Sequence, residues 1–286
     1  MFSILLQSWD WRPEVMLLLL LFAGLYSTGW LRIRLIGQNL AKAPSHNVWH
    51  LISYLTGIGL MVIALMSPID VLGQQLFAMH MVQHLIVMMI VPPLLMLANP
   101  YPVLLWGLPK RWRRGTIPFM TQGKPFRFYA RVLASPVLGI AILIVTLCGW
   151  HLPFAYDAAL RSPLIHDVEH LTFFGAAMIY WWHVVQAAPH IRTSMSYGTR
   201  VAYLLFTLPF SMLIGLVIAF ADSPLYPHYT MVPRLWGLSV MQDQMLGGVI
   251  MWVPGSMMYV VAAIVLVRLL LKADLDAIPL ASNENI

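Results

Sequence analysis

Two pairs of histidines sit inside otherwise apolar stretches of this 286-residue chain. They are His80 and His84 in His80-Met81-Val82-Gln83-His84, and His166 and His170 in His166-Asp167-Val168-Glu169-His170. A spacing of i, i+4 puts both rings of a pair on one face of a helix. Imidazole is costly to bury in hydrocarbon without a partner, and a metal ion is a good partner. Imidazole suits zinc, copper, iron and nickel. Met79, Met81, Met245 and Met251 bring soft thioethers close by in sequence and favour copper, although most of the 19 methionines are packing residues. The plainer alternative is a hydrogen-bonding network between helices, with no ion.

The elements that must position these rings follow from composition. The chain is 60% hydrophobic and 10% charged, with a mean hydropathy of +0.76. A soluble domain carries roughly 25% charged residues. Stretches of about 20 apolar residues fall near 14–31, 48–66, 75–98, 132–151, 164–187, 200–221 and 244–271. The runs are continuous rather than alternating, so a β-barrel is set aside. The expected fold is an all-α integral membrane protein with seven transmembrane helices. Residues 1–273 form one transmembrane domain, and 274–286 form a polar tail expected to be disordered. Asp10, Arg12 and Glu14 precede the first apolar run, which reads as a retained span rather than a signal peptide. The connection from about Ala98 to Arg131 is rich in Pro and Arg and is expected along the membrane interface. Pro92-Pro93 should kink or break the third span, and Ser162-Pro163 reads as N-cap and first residue of the fifth.

Charge sets the orientation. Fourteen of the 17 basic residues fall on one side of these spans, seven of them between Lys110 and Arg131. Only Arg12, Arg161 and Arg234 fall on the other, together with 8 of the 11 acids. The N-terminus is therefore expected outside and the C-terminus in the cytoplasm. The net charge of +6 suits an anionic inner leaflet of membrane lipid and calls for no nucleic-acid partner.

Depth then brings the histidines together. At ~1.5 Å per residue, His80 and His84 lie about 8–14 Å below the outer surface, and His166 and His170 about 5–11 Å. His151 ends the fourth span on the same side, and Asp243 opens the seventh. The candidate metal ligands are His80, His84, His166 and His170, with His151 and Asp243 as additional ligand or orienting group. Glu169 shares a face with His166. Asp157 and Tyr156 read as an ordinary solvated loop. His46, His50, His183 and His190 form a second group toward the cytoplasm, read as interfacial histidines. The lone Cys148 excludes an intramolecular disulfide and a CxxC metal site.

Other chemistries are weaker. His166-Asp167-Val168-Glu169-His170 fits the H-x-x-E-H pattern of inverted zinc peptidases, but the only other glutamates are Glu14 and Glu284. Asp243 would have to serve as the further ligand. A membrane haem protein passing electrons is the other rival. A retinal-type pigment is excluded because no lysine lies mid-span.

At these residues the chain resembles the CtaG-type cytochrome c oxidase assembly proteins of bacteria, a seven-span family linked to caa-type oxidases. The resembling stretches are Met79 to His84 with Pro92-Pro93, Trp150 to Pro153 with Tyr156 to Leu160, His166 to His170, and Asp243-Gln244 with Gly247-Gly248 and Met251-Trp252. The resemblance implies a non-enzyme of the bacterial plasma membrane that helps mature a haem-copper oxidase through copper delivery or retention. Its partner would be an oxidase subunit. An unrelated single-span copper chaperone shares the family name and uses cysteines, so this chain is not of that type.

Overall fold

The computed structural model describes residues 9–37 and 47–277, which form helices with short connections and, among the described residues, no strand. The first helices, α1 (Pro13–Gly37) and α2 (Val48–Met66), are long and largely apolar. Ser67 ends α2 and begins α3 (Pro68–Gly73), where its hydroxyl accepts from the Ile69 N–H and Pro68 opens the helix. The third stretch contains α4 (Phe77–Leu85), a π-helical turn (Ile86–Ile90) and α5 (Val91–Leu97).

The expected kink at Pro92-Pro93 takes the form of that π turn. Neither proline has an N–H to bond four residues back, which frees the carbonyls of Met88 and Met89. The backbone widens instead of breaking: the Val91 N–H reaches the Ile86 carbonyl, five residues away. The indole N–H of Trp181, from a different helix, donates to the freed Met88 carbonyl at 3.1 Å.

The basic connection is helical rather than irregular. It comprises α6 (Pro100–Gly107), α7 (Lys110–Gln122) and α8 (Lys124–Leu133). Arg32 of α1 donates to the carbonyls of Trp106, Gly107 and Leu108 at 2.8–2.9 Å, closing the C-terminus of α6 with a cation. A bend of 69° joins α8 to α9 (Pro136–Trp150). There follow α10 (Pro153–Arg161), α11 (Pro163–Val185), α12 (Tyr197–Ala219), α13 (His228–Met231) and α14 (Val240–Ala277). Ser162 and Pro163 begin α11 as predicted, although the Ser162 hydroxyl makes no capping bond.

Helices stand at all seven predicted positions. Among the described residues, five segments are long and apolar enough to cross a membrane: Pro13–Leu35, Val48–Met66, Phe77–Leu97, Tyr197–Ala219 and Val240–Asp276. The bent α8–α9 pair makes six if it is one span. The remaining helix, α11, is 23 residues long, but its histidines, Asp167 and Glu169 lower its hydropathy. The first four residues of the expected tail, Asp274 to Ala277, belong to α14. Residues 278–286 lie outside the described residues.

Two glycines bring α12 and α14 into backbone contact. A Cβ on Gly248 would stand 2.5 Å from the Ala219 nitrogen and 2.7 Å from the Gly215 carbonyl oxygen. Small residues at such a crossing are how helices approach closely inside a bilayer. Next to it, a Cβ on Gly247 would meet the Phe77 ring at 2.2 Å, so α14 also holds the start of α4.

Gly248→Val should therefore separate α12 from α14 and lower the melting temperature of the protein in detergent. Gly24→Ala is the control, since a Cβ there meets nothing within 4 Å. It should leave the melt unchanged or raise it slightly. Equal melts for the two variants would remove the close crossing as a source of stability.

Candidate metal centre

The two histidine pairs meet. His80 and His84 project from α4, and His166 and His170 from α11. The His80 and His84 Nε2 atoms lie 2.8 Å apart, a distance at which one ring donates to the other. Ring centroids are 4.2 Å apart for His166 and His170, and 5.3 Å for both His80–His166 and His84–His170. All four side chains are buried.

Glu169 completes the cluster. It is fully buried, and its two oxygens face His80 Nε2 and His84 Nε2 at 3.7 Å each. Neither oxygen has a hydrogen-bond partner among the described residues. Ligand atoms of His80, His84 and His170 lie within 4.8 Å of one another, as do those of His80, His166 and Glu169. Sequence reasoning put Glu169 near the site without naming it a ligand. The signal was its i, i+3 relation to His166, which is visible once α11 is known to be helical there.

This donor set fits a cation. A carboxylate buried without hydrogen bonds is costly, and so are imidazole nitrogens without partners. His170 Nε2 is buried and unpartnered among the described residues, as are the two Glu169 oxygens that face His80 Nε2 and His84 Nε2. One ion among these atoms would neutralise the carboxylate and use the nitrogen lone pairs together.

Of the two places expected for Asp243, ligand or orienting group, its contacts are those of the second. Its oxygens accept from the backbone N–H groups of Phe77 and Ala78, both at 3.0 Å, and it pairs with Arg234 at 3.1 Å. It caps the N-terminus of α4, where orphan N–H groups and the helix dipole favour an anion. With its oxygens engaged it is an orienting residue, not a ligand of this cluster. The sequence missed this because the cap comes from a helix 166 residues away.

His151 lies to one side. Its ring is 6.3 Å from that of His84, and it belongs to neither ligand group. Tyr156 and Asp157 are buried on α10, which corrects the expected solvated loop. The Tyr156 ring lies 5.1 Å from His80. Its hydroxyl is 3.1 Å from that of Tyr229, which donates to the Gly73 carbonyl at 2.8 Å. Gln83, fully buried, donates to the Ala64 carbonyl and to Asp70 at 2.9 and 2.7 Å, which ties α4 to α2 and α3. At the N-terminal end of α11 Arg12 bonds to Asp167, the neighbour of His166; that bond raises the Arg12 pKa and keeps the guanidinium charged.

The second histidine group does not converge. His183 is buried on α11, and it and His190 line a separate cavity of about 470 Å³. His50 lies on α2 and is only half-buried, and His46 lies outside the described residues. Of the methionines noted in sequence, Met81 and Met251 are buried near His84, whereas Met245 is exposed.

Residues 24–273 match the family described as cytochrome c oxidase caa3 assembly factor, which covers the cluster and every helix that builds it. The chain belongs to this caa3 assembly factor family. It is a multi-pass protein of the bacterial membrane, and membership in an assembly-factor family agrees with the expectation of a non-enzyme. Uncharacterized proteins of Mycobacterium bovis and Mycobacterium tuberculosis are each 25% identical over 231 residues, and one of Mycobacterium leprae is 24% identical over 241. The matches cover 79% of this chain and 34% of each relative, so the chain spans about a third of the length of those curated relatives. No solved structure matches the chain.

The capping role of Asp243 is testable. Asp243→Ala leaves two buried N–H groups without acceptors, a loss of about 1–3 kcal/mol each. It should lower the melting temperature in detergent more than Arg234→Gln does, because the latter leaves both N–H bonds in place. A melt like that of the wild type would show that the carboxylate does not hold α4.

Proposed function

We propose that this chain is an assembly factor for a haem-copper cytochrome c oxidase that binds copper and delivers it to the oxidase. The ligands are His80, His84, His166 and His170, with Glu169 as the anionic group. The observation that carries this reading is the fully buried Glu169 carboxylate, without a hydrogen bond, among four imidazoles. Family membership supports the oxidase as the partner. A seven-span chain with its N-terminus outside would place the cluster toward the outer leaflet, facing an oxidising compartment. Cu(I) would enter there as cargo. The Glu169 carboxylate balances the single charge of Cu(I), and the imidazole ligands are neutral and exchangeable, so the ion can leave for an oxidase subunit. Protonation of the rings as pH falls would release it.

The rivals fit less well. Close packing of the four rings leaves little room for a porphyrin between them. A zinc peptidase using His166, Glu169 and His170 lacks the further ligand that Asp243 would have supplied, since the carboxylate of Asp243 caps α4.

Metal content and the visible spectrum of the detergent-purified protein test the proposal. The wild type should hold copper, and a folded His80→Ala/His170→Ala variant should lose it. Cells carrying that variant should assemble oxidase deficient in copper, with activity restored by added copper. A Soret band would support the haem reading instead, and no copper after Cu(I) loading would overturn delivery.

A further inference from the structure

We propose that a cavity just below the histidine cluster is a second, thioether-rich site for Cu(I), with His151 as its imidazole ligand. This inference rests on the copper reading above. The cavity has a volume of about 30 Å³, room for a single ion. It lies where α4 and its π turn meet α9, α12 and α14. Its wall includes Met81, Met88, Met89, Met251, His84 and His151.

Three observations support it. First, the His151 Nδ1–H donates to the Leu147 carbonyl at 2.7 Å. That bond fixes the tautomer and leaves the Nε2 lone pair free, the arrangement typical of a metal-ligating histidine. Nε2 is buried and has no partner among the described residues. Second, Met81 and Met88 lie three and four residues from His84, Met89 joins them through the π turn, and Met251 lines the same cavity from α14. All four are buried. Thioethers select Cu(I) over harder ions. Third, His84 belongs to both places. Its Nε2 touches the outer cluster, while its Nδ1 is buried and unpartnered.

The cavity is deeper than the cluster, since Met89 lies nine residues beyond His80, about 13 Å along the helix. An ion accepted by imidazoles at the outer cluster would pass the His84 ring to the methionines and His151. This is ligand exchange: copper stays as Cu(I), no electron moves, and no proton is consumed. The effect is to hold the ion in an environment that favours its reduced form.

The test is Cu(I) loading of the full-length purified protein under anaerobic reductant, read by bound equivalents and by copper X-ray absorption. The wild type should bind two equivalents and show sulfur neighbours. Met89→Leu/Met251→Leu, a volume-conserving pair, should lose one equivalent and the sulfur signal without a change in melting temperature. Each single variant should weaken the sulfur-bound equivalent, which guards against misfolding of the pair. His80→Ala/His166→Ala should keep the sulfur-bound equivalent. Copper with only nitrogen and oxygen neighbours in the wild type would overturn this site and leave the outer one standing. So would a sulfur signal unchanged by both methionine substitutions. Sulfur-bound copper that persists while the outer equivalent never forms would overturn the outer site alone. Failure of the wild type to bind any copper would overturn both.

Discussion

The structure is organised around a carboxylate that has no hydrogen bond among the described residues. Glu169 is fully buried, and what surrounds it is imidazole. An isolated ionised carboxylate in such a place costs many times the net stability of a typical domain unless something offsets it. The available offsets are a shared proton with a neighbouring ring or a cation among the rings. Either one requires α4 and α11 to approach until His80 and His84 stand 3.7 Å from the Glu169 oxygens. The packing of the other helices can be read as the means of keeping that approach.

Several of those contacts come from far along the chain. Asp243 clamps the first turn of α4, and Gly247 makes room for Phe77 beside it. The same helix crosses α12 at Gly215 and Gly248, so the clamp is itself held by a backbone contact. Gln83 ties the middle of α4 to Asp70 and the Ala64 carbonyl. At the N-terminal end of α11 Arg12 pairs with Asp167, next to His166. Each of these groups is polar and lies close to the cluster, but its role is to fix a helix, not to bind an ion. That division explains why Asp243 and Glu169, both fully buried acids, have opposite functions. One has every oxygen engaged, and the other has none.

The histidine pairs were legible in the sequence because both members of a pair lie on one helix, and helical spacing alone puts them together. Helices at the seven stretches were legible for a similar reason, since length and apolarity are local properties. The capping contacts of Asp243 were not legible, because its partners are backbone N–H groups on a distant helix, and sequence carries no mark of such a bond. Tyr156 was read as solvated because a short helix between two apolar runs looks like a loop. Its burial depends on Tyr226 and Tyr229, which come from another connection altogether. The structure also separated His151 from the cluster. A shared depth could not decide that, because depth says nothing of the angle about the helix axis.

The proline pair shows how a local feature shapes the site at a distance. Without N–H groups at Pro92 and Pro93, an ordinary helix would leave two carbonyls unpaired inside a membrane, where no water can reach them. The π turn and the Trp181 indole reduce that deficit. Before it, α4 presents His80 and His84 to Glu169 of α11. After it, α5 packs on α2, where the Ser53 hydroxyl donates to the Leu94 carbonyl at 2.7 Å and Leu95 fills the space over Gly57, and on α11 as well. Met88 and Met89 lie within the turn itself and line the cavity beside His84. The prolines, far from the histidines in chemistry, thus shape the stretch of backbone that carries these two methionines, and the indole that answers the freed carbonyl comes from the helix that carries His166 and His170.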